Sequence, residues 1–149
     1  MSGEPVIVHA GLIALRLSGF WRGVLIEGPS GAGKSDLALR ALREGFRLVA
    51  DDRVLLWVSE GRLFGRAPQT LAGLIEARGL DVVHIAHLPL AEVALVARCN
   101  VPERMPEPAF ADWLGVRVRR LDVDPRQLSA PAKLSRALAL FDARSKRRI

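Results

Sequence analysis

Residues 23–45 read GVLIEGPSGAGKSDLALRALREG, and this stretch is the most informative part of the chain about its fold. Its opening run VLI is short and wholly apolar, which is typical of a strand covered on both faces. From Ser35 to Glu44 the leucines and alanines recur on one helical face, and Gly45 stands where a helix C-cap is expected. The sequence therefore predicts a buried strand, a glycine-rich loop and a helix in succession.

The loop itself carries the Walker A pattern, in which two glycines five positions apart precede a lysine and a hydroxyl residue. Its glycines let backbone N–H groups turn inward around phosphate oxygens, and the helix that follows adds unpaired N–H groups and its positive dipole end. Lys34 is expected to reach the β- and γ-phosphates and the Ser35 hydroxyl to bind Mg²⁺. The predicted ATP-binding residues are Gly28, Pro29, Ser30, Gly31, Ala32, Gly33, Lys34 and Ser35.

Two adjacent carboxylates, Asp51 and Asp52, end the next predicted strand, Leu48-Val49-Ala50. Because this strand follows the Walker helix directly, we expect it to lie close to the phosphate-bearing strand, with one or both carboxylates facing the γ-phosphate. Such a carboxylate can hold Mg²⁺ or accept the proton of an attacking hydroxyl, and neighbours on an extended chain point to opposite sides. The alternative is an aspartate pair that caps a turn ahead of Arg53.

The remaining turn signals divide the chain into short pieces, and most of these read as strands. We predict an α/β fold with a mixed P-loop sheet and few helices, in a single domain over residues 1–149 with a frayed basic tail at 142–149. Residues 68–79 are expected to form a short helix or an ordered loop. The predicted strands are Val6 to His9, Leu12 to Leu17, Val54 to Val58 and Arg62 to Phe64 as a hairpin, Val82 to Ile85, Val93 to Cys99, Leu114 to Val118 and Leu121 to Val123, and the predicted final helix runs from Pro131 to Arg144.

Composition narrows the class of protein. A chain of 149 residues, 50% hydrophobic and 26% charged, suits one sizeable core. The net charge of +6 owes much to the basic tail, and the chain has no tyrosine and no basic stripe interleaved with aromatics, which argues against a nucleic-acid partner. No stretch approaches the roughly 18 to 20 apolar residues of a membrane span, and no signal peptide is evident. We expect a cytoplasmic protein whose one cysteine, Cys99, is a buried strand thiol.

Several motifs in order resemble a known family. The string from Gly23 through Asp52, with GPSGAGKSDLAL and then GFRLVADD, is similar to the catalytic domain of HPr kinase/phosphorylase, the bacterial enzyme that phosphorylates a serine of the phosphocarrier HPr. LAGLIEARGL at 71–80 resembles the family's signature segment, and the resemblance covers residues from about 6 to 108. It implies an HPr kinase/PEP carboxykinase-like fold, ATP and Mg²⁺ as cofactors, and HPr or an HPr-like carrier of the phosphotransferase system as partner.

The resemblance also assigns roles. It implies that Asp52, supported by Asp51, is the general base on the incoming serine hydroxyl, and the acid if the reaction runs in reverse. Glu76 matches the residue that joins Ser35 at Mg²⁺. For Glu76 and Arg78 the alternative is a solvated loop pair.

Four further residues match positions assigned to the family's active site. Lys34 is the Walker lysine, Arg78 lies in the segment tied to both activities, His9 opens the domain, and Arg104 lies in PERMPEP. Arginine forks can hold phosphate oxygens, and a nearby histidine can orient a carboxylate. For His9 the alternative is an edge-strand histidine without a chemical role, and for Arg104 a surface arginine in a proline-rich loop.

The chain also departs from the family pattern. It begins almost at the catalytic module, so it resembles the short form of some proteobacteria. Asp81 stands where the signature normally has glycine, so strain is expected if that position needs a positive φ. The family's C-terminal phosphorolysis segment is not recognisable, which favours kinase activity over phosphorolysis. The resemblance implies a hexamer, and a small-metabolite kinase or a nucleotide-sensing regulatory module remains the alternative.

Overall fold

The computed structural model describes residues 4–147, with the side chains of residues 142–147 outside the description. Within that part, one nine-stranded mixed sheet, a separate two-stranded hairpin and two α-helices make up the fold. The predicted α/β class with few helices is confirmed. The helices are α1 (Lys34–Ala41) and α2 (Ala130–Arg147), and the strands are β1 (Val6–Val8), β2 (Gly11–Leu17), β3 (Phe20–Glu27), β4 (Arg47–Ala50), β5 (Val54–Ser59), β6 (Arg62–Arg66), β7 (Leu74–Ala77), β8 (Asp81–His84), β9 (Ala91–Cys99), β10 (Ala109–Trp113) and β11 (Val116–Val123).

The strand order explains how the site is assembled. The main path of the sheet runs β1-β5-β6-β9-β3-β2-β4, and β11 pairs with β9 and carries β10. β9 is parallel to both β3 and β11, while β2 is antiparallel to both β3 and β4. Consequently β3, β4, β9 and β11 all end at the same edge of the sheet. β4 is the second strand from β3, because β2 lies between them. The sequence predicted only that the two strands lie close together.

Both faces of the sheet are buried, which is why its central strands lack a polar phase. In β3, Val24 and Ile26 pack with the helices, whereas Leu25 faces a second core on the other side. All three side chains are completely buried. Full burial of such a side chain contributes roughly 1.5–3 kcal/mol to folding. The wholly apolar run before the loop therefore reports a strand covered on both faces, as predicted.

Two segments differ from the sequence prediction. Residues 68–79 contain a 3-10 turn at Gln69–Leu71 and then strand β7, which pairs with β8 in the separate hairpin. The predicted strand from Leu114 to Val118 is wrong, because Leu114 (φ 54°) and Gly115 (φ 83°) form the turn between β10 and β11. The apolar pattern runs through this turn, so hydrophobicity alone could not locate it.

The helices follow the sequence signals closely. α1 continues as a 3-10 turn at Leu42–Glu44 and ends at Gly45 with φ 94°, the left-handed cap that glycine favours. α2 reaches Arg147, and the predicted frayed tail at 142–149 falls on residues whose side chains, or whose whole placement, lie outside the description. Neither helix of the described part is both long and apolar enough to cross a membrane. Cys99 is half-buried at the end of β9, and burial raises the pKa of its thiol.

Candidate active site

The phosphate-binding loop joins β3 to α1 and depends on glycine at two of its positions. Gly33 has φ 107°, a left-handed conformation that a side chain would strain, and α1 begins directly after it. At Gly28 a Cβ atom would lie 2.9 Å from the Cβ of Cys99, which is closer than real Cβ contacts. The loop is therefore shaped by backbone geometry that only these glycines allow.

Lys34 lies inside the curve of this loop. Its side chain is buried, and its Nζ donates to the carbonyl oxygens of Gly28 at 2.7 Å and Pro29 at 2.9 Å. Among the described residues no carboxylate forms an ion pair with it. Because its partners are neutral carbonyls and not a carboxylate, the amino group of Lys34 is available to pair with a bound anion.

Asp51 connects the loop helix to the hairpin. Its Oδ1 accepts a hydrogen bond from the Ser35 hydroxyl at 2.7 Å, and its Oδ2 accepts one from the backbone N–H of Glu76 at 3.1 Å. The carboxylate is only 7% exposed. It therefore fixes the Ser35 hydroxyl and the middle of the signature segment relative to each other.

Asp52 is exposed, in contrast to the buried Asp51. It has φ 68°, so the chain bends sharply instead of continuing the strand, and its side chain is exposed. Its Oδ1 lies 2.7 Å from Nε2 of His9, and its Oδ2 accepts a hydrogen bond from Arg53 at 3.1 Å. The two aspartates do face different environments, but a left-handed turn separates them, not the pleat of an extended strand.

The position of His9 follows from strand pairing. β1 is antiparallel to β5, with Val8 opposite Val54. Continuing this antiparallel register, one residue after Val8 and one residue before Val54, brings His9 opposite Arg53 and therefore next to Asp52. The histidine that the family resemblance singled out is thus held against the exposed aspartate by the sheet.

These elements enclose a cavity of about 320 Å³ at the carboxyl edge of the sheet. Both the loop residues Lys34 and Ser35 and the carboxylate of Asp52 face it. Asp36 also lines it, although no motif marked that residue beyond its place in the first turn of α1. The lining residues are His9, Ser30, Gly31, Gly33, Lys34, Ser35, Asp36, Asp52, Glu76 and Arg78.

The loop residues Gly28, Pro29 and Ala32 are absent from the lining of this cavity, and so is Arg104. Arg104 is exposed in the irregular connection of residues 100–108, which follows β9. Asp51 does not line the cavity either and acts on it through Ser35. Ala32 closes the loop through a backbone hydrogen bond to the carbonyl of Pro29 at 3.0 Å.

Asp81 does not carry the strain that the sequence suggested. The positive φ in this hairpin belongs to Gly79, at 82°, and Asp81 already lies in strand β8. Its Oδ1 accepts a hydrogen bond from the N–H of Val82 at 2.7 Å. The expectation of a strained signature segment is therefore wrong, because the turn precedes the substituted position.

A strand, a glycine loop around a buried lysine and a helix, with carboxylates at the same sheet edge, define a P-loop protein built to hold a polyphosphate. Residues 4–92 match the family described as the HPr Serine kinase C-terminal domain, and this chain belongs to that family. The match spans more than half of the chain and includes the loop, both aspartates and the signature segment.

Curated relatives carry the name HPr kinase/phosphorylase. The protein from Clostridium tetani is 35% identical over 126 residues, and that from Halalkalibacterium halodurans is 37% identical over 130 residues. Each alignment covers 80% of this chain but 41% of the relative, so the chain spans about two fifths of their length.

The fold has a solved counterpart. The HPr(Ser) kinase/phosphatase from Coxiella burnetii superposes with a TM-score of 0.79, covering 95% of this chain and 99% of that chain. Sequence identity between the two is 23%. The expected HPr kinase-like fold is thereby confirmed.

Proposed function

We propose that this chain is an ATP- and Mg²⁺-dependent protein serine kinase that phosphorylates HPr or an HPr-like carrier of the phosphotransferase system. One observation carries the proposal: Asp52 faces the same cavity as Lys34 and Ser35. A phosphate cradle and a candidate proton acceptor in one cavity are what phosphoryl transfer to a hydroxyl requires. Membership of the HPr kinase family supports the choice of acceptor.

The loop residues would hold the polyphosphate. Backbone N–H groups of Gly28 and of residues 30–33, together with the Lys34 ammonium, supply positive charge around the β- and γ-phosphates, and α1 adds its dipole. Arg78 lines the cavity, where its guanidinium can pair with phosphate oxygens. Catalysis then consists mostly of positioning and charge stabilisation.

Oxygen ligands for Mg²⁺ are available beside the loop. Ser35, hydrogen-bonded to Asp51, and Glu76 lie at the cavity, and hard cations prefer such oxygens. Within residues 4–147 no cluster of three or more acidic, histidine or cysteine side chains forms a complete metal site. That incomplete set fits Mg²⁺, which usually takes one or two carboxylates together with phosphate oxygens and water. When bound, the ion would neutralise charge on the phosphates.

Asp52 would act on the acceptor. The serine oxygen forms a bond to the γ-phosphorus, the bond from that phosphorus to the β,γ-bridging oxygen breaks, and ADP leaves. The serine proton passes to Asp52, which His9 holds at 2.7 Å. Arg104 remains a proposed active-site residue through its loop, which follows β9 at the same sheet edge.

The test is transfer of label. The protein is incubated with γ-labelled ATP, Mg²⁺ and purified HPr, alongside Lys34→Ala, Asp52→Asn and, as matched control, Asp112→Asn on edge strand β10. Label on HPr is expected with the unchanged protein and the control and not with the two site variants. Tight ATP binding without transfer would instead indicate a nucleotide-sensing module. ATP consumption with a metabolite but not with HPr would indicate a metabolite kinase.

The same proposal covers the reverse direction and the assembly. The relatives' name includes phosphorylase, and inorganic phosphate attacking phosphoserine would release serine and pyrophosphate, with Asp52 returning the proton. Incubating phosphorylated HPr with phosphate and measuring pyrophosphate tests this. A homo-oligomer, a hexamer by family resemblance, and a cytoplasmic location belong to the proposal as well. Light scattering during size-exclusion chromatography tests the oligomer.

A further inference from the structure

The polyphosphate loop has two different sides along the carboxyl edge of the sheet. On one side are Asp51 and Asp52, which follow β4. On the other side are the connections that follow the parallel strands β9 and β11, residues 100–108 and 124–129. If Asp52 faces the γ-phosphate, as the proposed function requires, the nucleoside end of the substrate must extend toward these two connections. Ligands of open α/β sheets occupy this kind of crevice.

The end of β9, where the first connection begins, and the second connection itself lie against the loop. A Cβ on Gly28 would lie 2.9 Å from the Cβ of Cys99, the residue where β9 ends. A Cβ on Gly33 would lie 3.6 Å from the ring of Pro125. The backbone N–H of Asn100 donates to the carbonyl of Val123 at 3.0 Å, so the two connections start side by side.

The second connection is anchored to the helix that carries the loop. The Arg40 guanidinium donates to the carbonyl of Gln127 at 3.1 Å and also to the carbonyl of Pro125. The side chain of Gln127 accepts a hydrogen bond from Lys133 at 2.8 Å. Residues 124–129 are therefore held at a set position relative to the phosphate cradle.

These connections carry unusual apolar exposure. Leu128 is 94% exposed, Met105 85% and Val101 74%, and they are three of the four most exposed large apolar side chains in the described part of the chain. Elsewhere in the connections the residues are mostly polar, charged or proline. Exposed apolar side chains beside a phosphate site suit a flat, apolar ring face.

We propose that Val101, Met105 and Leu128 form the seat of the nucleoside base. The ligand class is a purine nucleoside triphosphate whose phosphates occupy the loop and whose base packs on these three side chains. This inference rests on the proposed function, because the position of Asp52 sets the direction in which the nucleotide lies. It goes beyond that function by assigning the base-binding residues, which no loop motif specifies.

Direct binding measurements distinguish the contribution of the base to affinity from that of the phosphates. Titration calorimetry with Mg²⁺ compares ATP with inorganic tripolyphosphate, which has no base, for the unchanged protein, Met105→Ala and Leu128→Ala. Leu140→Ala on α2, a leucine that is 49% exposed, is the matched control. Loss of the base contact is expected to weaken ATP binding about three- to tenfold in each seat variant and to leave tripolyphosphate binding unchanged. The control is expected to change neither.

Two results would contradict the proposal that these three side chains bind the base. One is equal affinity of the unchanged protein for ATP and tripolyphosphate, and the other is seat variants that bind ATP as well as Leu140→Ala does. A separate arm keeps this failure distinct from failure of the proposed function. If tripolyphosphate binds and Lys34→Ala abolishes that binding, the phosphate cradle stands whatever the base does. If tripolyphosphate does not bind, the cradle fails and the seat fails with it.

Discussion

The imidazole of His9 lies 2.7 Å from a carboxylate oxygen of Asp52, although 43 positions separate the two residues in the chain. Both side chains are partly exposed, at 42% and 58%, and both line the cavity beside the phosphate loop. An exposed contact of this kind adds little to stability. Its value is orientation, because it holds the carboxylate toward the space where an acceptor hydroxyl would enter.

Replacing His9 with alanine should therefore affect transfer more than folding. A hydrogen bond in such an exposed position contributes about 0.5–1.5 kcal/mol, so kcat for HPr phosphorylation is expected to fall about two- to tenfold. KM for ATP should stay nearly constant, because the hydrogen-bond partner of His9 is Asp52, which lies outside the loop. Steady-state kinetics measure both quantities. A rise in the KM for ATP with kcat unchanged would contradict the positioning role of His9.

Replacing each of the two adjacent aspartates with asparagine should affect the stability of the protein differently. Asp51 is buried and accepts from Ser35 and Glu76, so Asp51→Asn replaces one acceptor oxygen by an amide donor. We expect a loss of about 1–3 kcal/mol, or roughly 3–9 °C in melting temperature. Asp52→Asn should leave the melting temperature unchanged, because asparagine tolerates the left-handed turn. Its phosphoryl transfer should fall about 10²–10⁴-fold.

Thermal unfolding of both variants tests this contrast. If Asp52→Asn lost as much stability as Asp51→Asn, the exposed aspartate would be a structural turn residue. The alternative of a turn-capping pair would then be the better description of that position.

Two glycines of the signature segment have the same backbone but different surroundings. Gly73 (φ 79°) would place a Cβ 2.8 Å from ring nitrogens of both His84 and His87, whereas Gly79 (φ 82°) has nothing within 4 Å. Gly79→Ala should cost about 1 kcal/mol from backbone strain alone. Gly73→Ala should add about 1–3 kcal/mol of overpacking. Urea denaturation measures the difference, and equal losses would mean that the two imidazoles move aside without cost.

A carboxylate that does not line the cavity, Asp122, should make stability depend on pH. The hydrogen bond from the Arg98 guanidinium, at 2.8 Å, lowers the pKa of Asp122 in the folded protein. Its contribution is then present above the pKa of the unfolded chain and is lost as pH falls through the folded value. Asp122→Asn should show a smaller decline in unfolding free energy between about pH 6 and about pH 3 than the unchanged protein. Asp112→Asn is the control. If the unfolding free energy of Asp122→Asn declined as steeply with falling pH as that of the control, the link between Asp122 and stability would be refuted.

Local patterns were enough to predict the parts of the fold that short stretches specify. The apolar run of β3, the glycine loop, the periodicity of α1 and the cap at Gly45 each depend on neighbours in sequence, and all four occur as predicted. Strand β7 was missed for the opposite reason. Its four residues become a strand only because β8 pairs with them.

The site shows the same division. The sequence alone determined that a polyphosphate cradle exists, since glycine, lysine and serine act there through their own backbone and side chains at fixed spacing. Only the tertiary structure decided that β2 separates β4 from β3, that Asp52 turns left-handed, and that Arg104 stays outside the cavity. Strand register and chain reversal depend on contacts between distant residues, and no local pattern encodes them.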